Sequence, residues 1–239
     1  MSITTMPPPR FENPNPFQFT SDQCHQLAEL GFFGDRRVEL RSGEIVEATP
    51  DEPADPRPFR FTREQYHKLG DLGVFCGHRV ELLFGEIVEM SPINWPHRVG
   101  CRKTVEALER AFAGLGWIDK DEPINLGHSE PEPDVAVFPG RFEDYTDHPK
   151  TALLVVEVSD TTLNVDLTTM AEFYATAGIS EYWVLDLNGR ELHVFRDPQA
   201  LPAALGATAY RVHDVHPENE NVSPLAAPTA SIRVAELLP

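Results

Sequence analysis

The chain has 239 residues, with 38 acidic against 20 basic side chains, and its formal charge of −18 argues against a broad electrostatic footprint for nucleic acid, leaving a local basic patch or bound divalent metal as the way to meet a polyanion. A hydrophobic fraction of 41% fills one sizeable core plus an appendage, and no apolar run nears the roughly 20 residues that span a bilayer. Cys24, Cys76 and Cys101 form no Cys-x-x-Cys pair and no signal-peptide pattern opens the chain, which excludes a zinc knuckle and a disulfide framework and points to a cytoplasmic, non-membrane protein.

Prolines cluster at Pro7, Pro8, Pro9, Pro14 and Pro16 and again from Pro50 to Pro58. Because proline fixes φ and removes a backbone donor, these stretches read as arm and linker. Between and after them lies a duplication. Residues 16–50 align without gaps on residues 58–92, with more than half of the positions identical. Two copies are too few for a solenoid, so the division predicted is an N-terminal arm, 1–57, holding the first copy, and a main domain, 58–239.

Each copy has one grammar. Thr20 or Thr62 stands as an N-cap before a short helix. Arg-Val-Glu-Leu, a two-residue turn with glycine and Gly-Glu-Ile-Val-Glu then predict a β-hairpin. In the second copy Val80, Leu82, Ile87 and Val88 are its apolar positions. The first copy reads as a structural or dimerisation arm, since two orphan strands need a partner surface to be stable.

Downstream, Val99, Val105, Leu108 and Phe112 recur at helical spacing over 97–114. Val135–Phe138 predicts a short buried strand, and the apolar run 153–158 a central one. Residues 166–177 read as a helix stopped by Gly178. Residues 182–186 and 191–195 form a hairpin across Asn188-Gly189. After Pro198 the pattern is weak until an edge segment at 230–238. The sum is a central sheet flanked by helices, an α/β (α+β) domain.

Desolvating an unpaired carboxylate costs several kcal/mol, so acids are normally kept off a buried strand face. Asp134 opens the VAVF strand, Glu157 lies inside LLVVEV, and Glu81 sits in the hairpin of the second copy. Converging acids can hold Mg²⁺ or Mn²⁺, which activate water and stabilise charge on a phosphate under attack. The alternative for each acid is a ladder-end residue, a cap or a salt-bridge partner. Arg36, Arg37, Arg98, Arg102, Lys103 and Arg110 read either as a basic face toward DNA or as a solvated face with ordinary ion pairs.

From Phe61 onward the segments RVELLFGEIVEMSP, His97, PEPDVAVF, LLVVEVSDTT, Val165-Asp166, FYATAGISEYWVLDL and ELHVFRDP occur in an order that resembles a large bacterial family of restriction-endonuclease-like proteins in the PD-(D/E)XK nuclease superfamily. The resemblance implies a mixed central sheet with flanking helices, Mg²⁺-dependent hydrolysis of phosphodiester bonds in DNA, and a homodimer. It implies Asp134 as the motif aspartate and Glu157 as the metal-binding glutamate. Glu81 becomes the acid from the first hairpin, the Val158 carbonyl a further ligand, and His97 an accessory residue, whose alternative is a satisfied structural histidine beside a proline. The sequence departs from the family at the lysine: Ser159 stands two positions after Glu157, and Met170 stands four after Asp166. A thioether neither carries charge nor accepts a proton. The rival expectation is therefore a catalytically inactive nuclease fold used for binding or assembly.

Overall fold

The structure is a computed structural model that describes residues 15–48, 57–201 and 208–239. The proline-rich stretch before Asn15 and most of that after Pro50 lie outside the described residues. The described chain forms two compact units: residues 92–126, 132–201 and 208–239 make one, and residues 15–48, 57–91 and 127–131 the other.

The smaller unit contains both copies of the repeat. The first runs through α1 (Ser21–Glu29), β1 (Val38–Arg41) and β2 (Glu44–Glu47). The second is led by β3 (Arg57–Pro58), followed by α2 (Arg63–Asp71), β4 (Val80–Leu83) and β5 (Glu86–Glu89). Thr20 and Thr62 each close a capping box with Gln23 and Gln65, as a Thr-x-x-Gln spacing dictates.

The copies interlock reciprocally. Phe17 N donates to Ile87 O, and Phe59 N donates to Ile45 O, both at 2.9 Å. Gln23 Nε2 donates to Val74 O at 3.2 Å, and Gln65 Nε2 to Phe32 O at 2.7 Å. Phe17 meets Phe75 edge-on at 5.3 Å, as Phe59 meets Phe33 at 5.1 Å. Each of these three contacts is repeated in the opposite sense, as a local pseudo-two-fold would have it. Pro16 and Pro58, expected in arm and linker, instead pair with Val88 and Val46 at sheet edges. Such an edge tolerates a residue with no N–H. Phe19, Leu27, Phe61, Leu69 and Leu82 fill the shared core.

The larger unit is built on a six-stranded mixed sheet in the order β11-β10-β9-β8-β7-β6. Its strands are β6 (Gly116–Asp119), β7 (Val135–Pro139), β8 (Leu154–Ser159), β9 (Glu181–Asp186), β10 (Glu191–Ala200) and β11 (Thr208–Pro217). Only β8 and β9 run parallel. The helix α3 (Trp95–Ala111) packs its Cys101, Ala107 and Leu108 on Val156, Val158 and Leu185, with Leu237 and Leu238 from the chain end. Gly100 permits that approach, because a Cβ there would stand 2.8 Å from Val158 Cγ1.

Two local differences from the sequence expectation carry physical reasons. The helix over 166–177 is present, but as α4 (Leu163–Val165), a π turn over Asp166–Met170 and α5 (Ala171–Thr176). Gly178, at φ 78°, ends it. The weakly patterned tail contains the ten-residue strand β11, whose side chains are mostly half-buried or exposed. An edge strand is held by its ladder with β10 more than by burial, so it leaves little hydrophobic alternation to read. The short strands β12 (Asn221–Val222) and β13 (Ile232–Arg233) pair beyond it. Among the described residues no helix is long and apolar enough to cross a membrane.

Candidate active site

Register brings the two acids of the larger unit together. The antiparallel pairing Val135↔Val156 between β7 and β8, continued one step, sets Asp134 level with Glu157. Asp134 N donates to Glu157 Oε2 at 3.3 Å, and Val158 N donates to Asp134 Oδ2 at 2.8 Å. Glu157 is the one residue of β8 that is not fully buried. Val158, whose carbonyl was the further ligand expected, is buried beside it and fixes Asp134 through its own N–H.

The third element is the start of α3. Asn94 caps that helix by accepting from His97 N at 3.0 Å, which fixes the first turn. His97 Nε2 then lies 3.0 Å from Asp134 Oδ2, and His97 Nδ1 lies 3.4 Å from Cys101 Sγ. Burial opposes a charge on His97, but the hydrogen bond and the charge of Asp134 outweigh it and raise its pKa. Burial, with Asp134 adding to it, drives the Cys101 thiol far upward, so the thiol stays protonated at neutral pH. In the neutral ring, a protonated Cys101 donating to Nδ1 leaves Nε2–H to donate to Asp134; in the charged ring Nε2–H donates to Asp134 as well.

The fourth element is α5. Tyr174 is fully buried, and its phenol donates to Glu157 Oε1 at 2.9 Å. Asp166, in the π turn, accepts from Thr162 Oγ1 at 2.6 Å. Burial pushes its carboxyl up to about 6, against the pull of Thr162 and Ser159 and helped by the charge of Asp134. Met170 is buried at the end of the same turn.

Oxygen donors dominate the pair, as Mg²⁺ or Mn²⁺ requires. Asp134 Oδ2 takes two hydrogen bonds, and Oδ1 takes none from a described residue. Donors behind both carboxylates supply the outer-sphere support that orients metal-ligating carboxylates. The residues therefore fit a hard divalent cation. His97, Cys101 and Asp134 also bring three potential ligand atoms within 4.8 Å of one another, but a thiol held protonated is a poor ligand.

Glu81 lies in the smaller unit, half-buried on β4 opposite Val88. Glu130, buried in that unit, is paired with Arg63 and with His67, so its role is structural. Of the basic side chains considered earlier, Arg102 pairs with Glu106, Arg110 with Glu236, Arg36 with Glu47, and Lys103 donates to Leu238 O. Arg98 is exposed on the first turns of α3.

Three residues at the site escape pattern reading. Tyr174 sits in an apolar helix stretch and looks like core. Asp166 is legible only as the family's helix aspartate. Lys120, which pairs with Asp121 just after β6, is near enough for its charge to bear on His97 and Cys101. No signal in the sequence distinguishes it from an ordinary turn lysine.

Residues 63–235 match the family Uma2, described as "Putative restriction endonuclease". A crystal structure described as "a putative nuclease belonging to DUF820", from Anabaena variabilis ATCC 29413, superposes with a TM-score of 0.58. The match covers 74% of this chain and 97% of that one at 15% identity, a likeness of fold. No curated protein is significantly similar in sequence.

Proposed function

This chain belongs to the Uma2 family, and on that premise we propose that it is a metal-dependent endonuclease that hydrolyses phosphodiester bonds in DNA. The observation that carries the reading is the meeting of Asp134 and Glu157 across neighbouring strands, with Asp134 Oδ1 left without a hydrogen bond among the described residues. Asp134, Glu157 and the Val158 carbonyl are the proposed ligands of Mg²⁺ or Mn²⁺. Such an ion supplies water activation and charge neutralisation on phosphate.

The remaining residues act around that pair. His97 holds Asp134 through Nε2–H, and Tyr174 holds Glu157 through its phenol. Lys120 is the proposed cation in place of the family lysine. Trp95, 76% exposed, and the exposed Arg98 flank His97 on α3 and offer a base-stacking surface and a phosphate partner. Glu81 enters on the motif match alone, and Glu81→Gln tests it separately. The proposal extends to a cytoplasmic homodimer, which light scattering would register as twice the chain mass of 26.8 kDa.

Buried Met170 favours a second reading, a nuclease fold that binds or assembles without cleaving. Cleavage of supercoiled plasmid with Mn²⁺ separates the two. Under the leading proposal wild type cuts and Asp134→Ala does not. If only Met170→Lys cuts, the natural protein is silent and the second reading stands.

A further inference from the structure

The hairpin of β9 and β10 carries a second constellation, away from Asp134 and Glu157. Asp186 ends β9 and Glu191 begins β10, directly opposite each other in the ladder. His193, two residues along, lies on the same face. Ligand atoms of all three lie within 4.8 Å of one another.

Two features of this cluster are costly unless something sits in it. First, two carboxylates face each other across the ladder, and like charges directly opposite destabilise a sheet. Among the described residues neither is paired with a lysine or arginine: the Arg190 beside them is engaged by Glu218, 2.6 Å away. Second, His193 is 7% exposed, and its Nε2 is buried with no hydrogen-bond partner among the described residues. That nitrogen lies 3.3 Å from Glu191 Oε1 but outside hydrogen-bonding geometry. A buried polar atom left without a hydrogen bond is destabilising.

We propose that Asp186, Glu191 and His193 form a binding site for a first-row divalent transition-metal ion, with Zn²⁺ as its representative. Two carboxylates and an imidazole suit such an ion better than Mg²⁺ or Ca²⁺, which take oxygen ligands only. At metal–ligand lengths of about 2.0–2.2 Å the donor atoms need to stand roughly 3–3.5 Å apart, so only a small contraction of the cluster is required.

The surroundings are already arranged for it. Asn188 N and Gly189 N both donate to Asp186 Oδ1 at 2.9 Å, which fixes the carboxylate over the turn. His193 Nδ1 lies 3.0 Å from His213 Nε2 on β11. With Nε2 on the metal, Nδ1–H donates to His213, the outer-sphere bond that orients a ligating imidazole. Half-exposed Glu191 leaves an open side for water or a further ligand. The ion would pin the turn of this hairpin to its third residue, a structural role separate from phosphodiester chemistry.

Equilibrium dialysis of the full chain against Zn²⁺, with helix content checked by circular dichroism, tests the assignment. Asp134→Asn, which disables the other metal cluster, is expected to retain one Zn²⁺. In that background Glu191→Gln and His193→Gln each weaken binding by at least about tenfold, and His213→Phe by about 10–100-fold. Long-range imidazole ¹H–¹⁵N spectra should show Zn²⁺ moving the His193 Nε2 resonance. Glu191→Gln sits at an open strand end, so it tests the site even if His193→Gln fails to fold. The proposal is overturned if wild type takes up no Zn²⁺, if Asp134→Asn loses all of it, or if Glu191→Gln binds as wild type does. None of these outcomes bears on plasmid cleavage, so the site and the proposed nuclease activity stand or fall separately.

Discussion

Asp166 is a buried acid whose carboxyl is pushed by burial from an ordinary 3.8 to about 6. Folding therefore favours its protonated form. The associated stabilisation is fully present below pH 3.8 and is lost as pH rises through about 6. Asp166→Asn keeps an acceptor for Thr162 and removes the titration. Urea unfolding of the metal-free protein at pH 4 and pH 7.5 should show the variant gaining on the order of 3 kcal/mol relative to wild type across that interval. An interval-independent difference would refute the assignment. Lys120 and Tyr174 are argued at the same scale. Lys120→Met should lower the rate of Mn²⁺-dependent cleavage by about 10²–10⁴-fold if that charge replaces the missing lysine. Tyr174→Phe removes a donor to Glu157 and should raise the Mn²⁺ concentration needed for half-maximal cleavage. A variant that shifts only thermal stability would mark Tyr174 as packing alone.

Between elements, close approach decides more than hydrogen bonding. Helix α3 delivers His97 to Asp134 only because Gly100 lets it lie against β8, where a Cβ would meet Val158 Cγ1 at 2.8 Å. Gly100→Ala overpacks that contact and should cost about 1–3 kcal/mol in urea unfolding. Because the same displacement moves His97 away from β7, cleavage should fall as well; a stability loss with full activity would separate packing from positioning. The π turn acts similarly on the opposite side. It takes one more residue per turn than an α-helix and so changes which helical side chain faces β8. The phenol of Tyr174 reaches Glu157 from beyond this turn, while Met170 is buried. In the smaller unit the two capping glutamines each serve a helix of one copy and a carbonyl of the other. Gln23→Ala and Gln65→Ala should each destabilise by about 1 kcal/mol per lost bond, and by similar amounts. A marked asymmetry would show that the copies are not energetically equivalent.

For the molecule as a whole, the formal charge of −18 sets the conditions under which any nucleic acid is bound. With 20 basic against 38 acidic side chains, the proposed activity would rest its contact with phosphate on divalent cations more than on lysine and arginine. DNA binding should therefore weaken far less steeply with monovalent salt than the slope of about −0.9 per neutralised phosphate expected of a basic interface. It should also collapse on chelation. Filter binding over a salt series, with and without EDTA, checks both, using Lys120→Met, which leaves the proposed metal ligands in place, to suppress cleavage. A steep salt dependence that survives EDTA would point to a basic face that the ion pairs of Arg102, Arg110 and Arg36 do not suggest.

The sequence by itself determined the local elements and the ends of the two central strands. Threonine caps, the glycine turns of both hairpins, the apolar runs of β7 and β8 and the misplaced acids Asp134 and Glu157 are all short-range signals. Their physical causes act within a few residues. It also carried the family resemblance and the absence of lysine at Met170. Tertiary structure decided what those signals meet. The antiparallel register of β7 on β8 sets Asp134 level with Glu157, and helix approach at Gly100 adds His97. From the helix beyond the π turn Tyr174 reaches Glu157, and the two copies of the repeat complete one another's edges. The edge strand β11 was hidden because a ladder with one neighbour needs little burial. Lys120 and the Asp186–Glu191–His193 cluster were hidden because charge and ligand geometry add up through space, between residues whose separation along the chain says nothing about their distance.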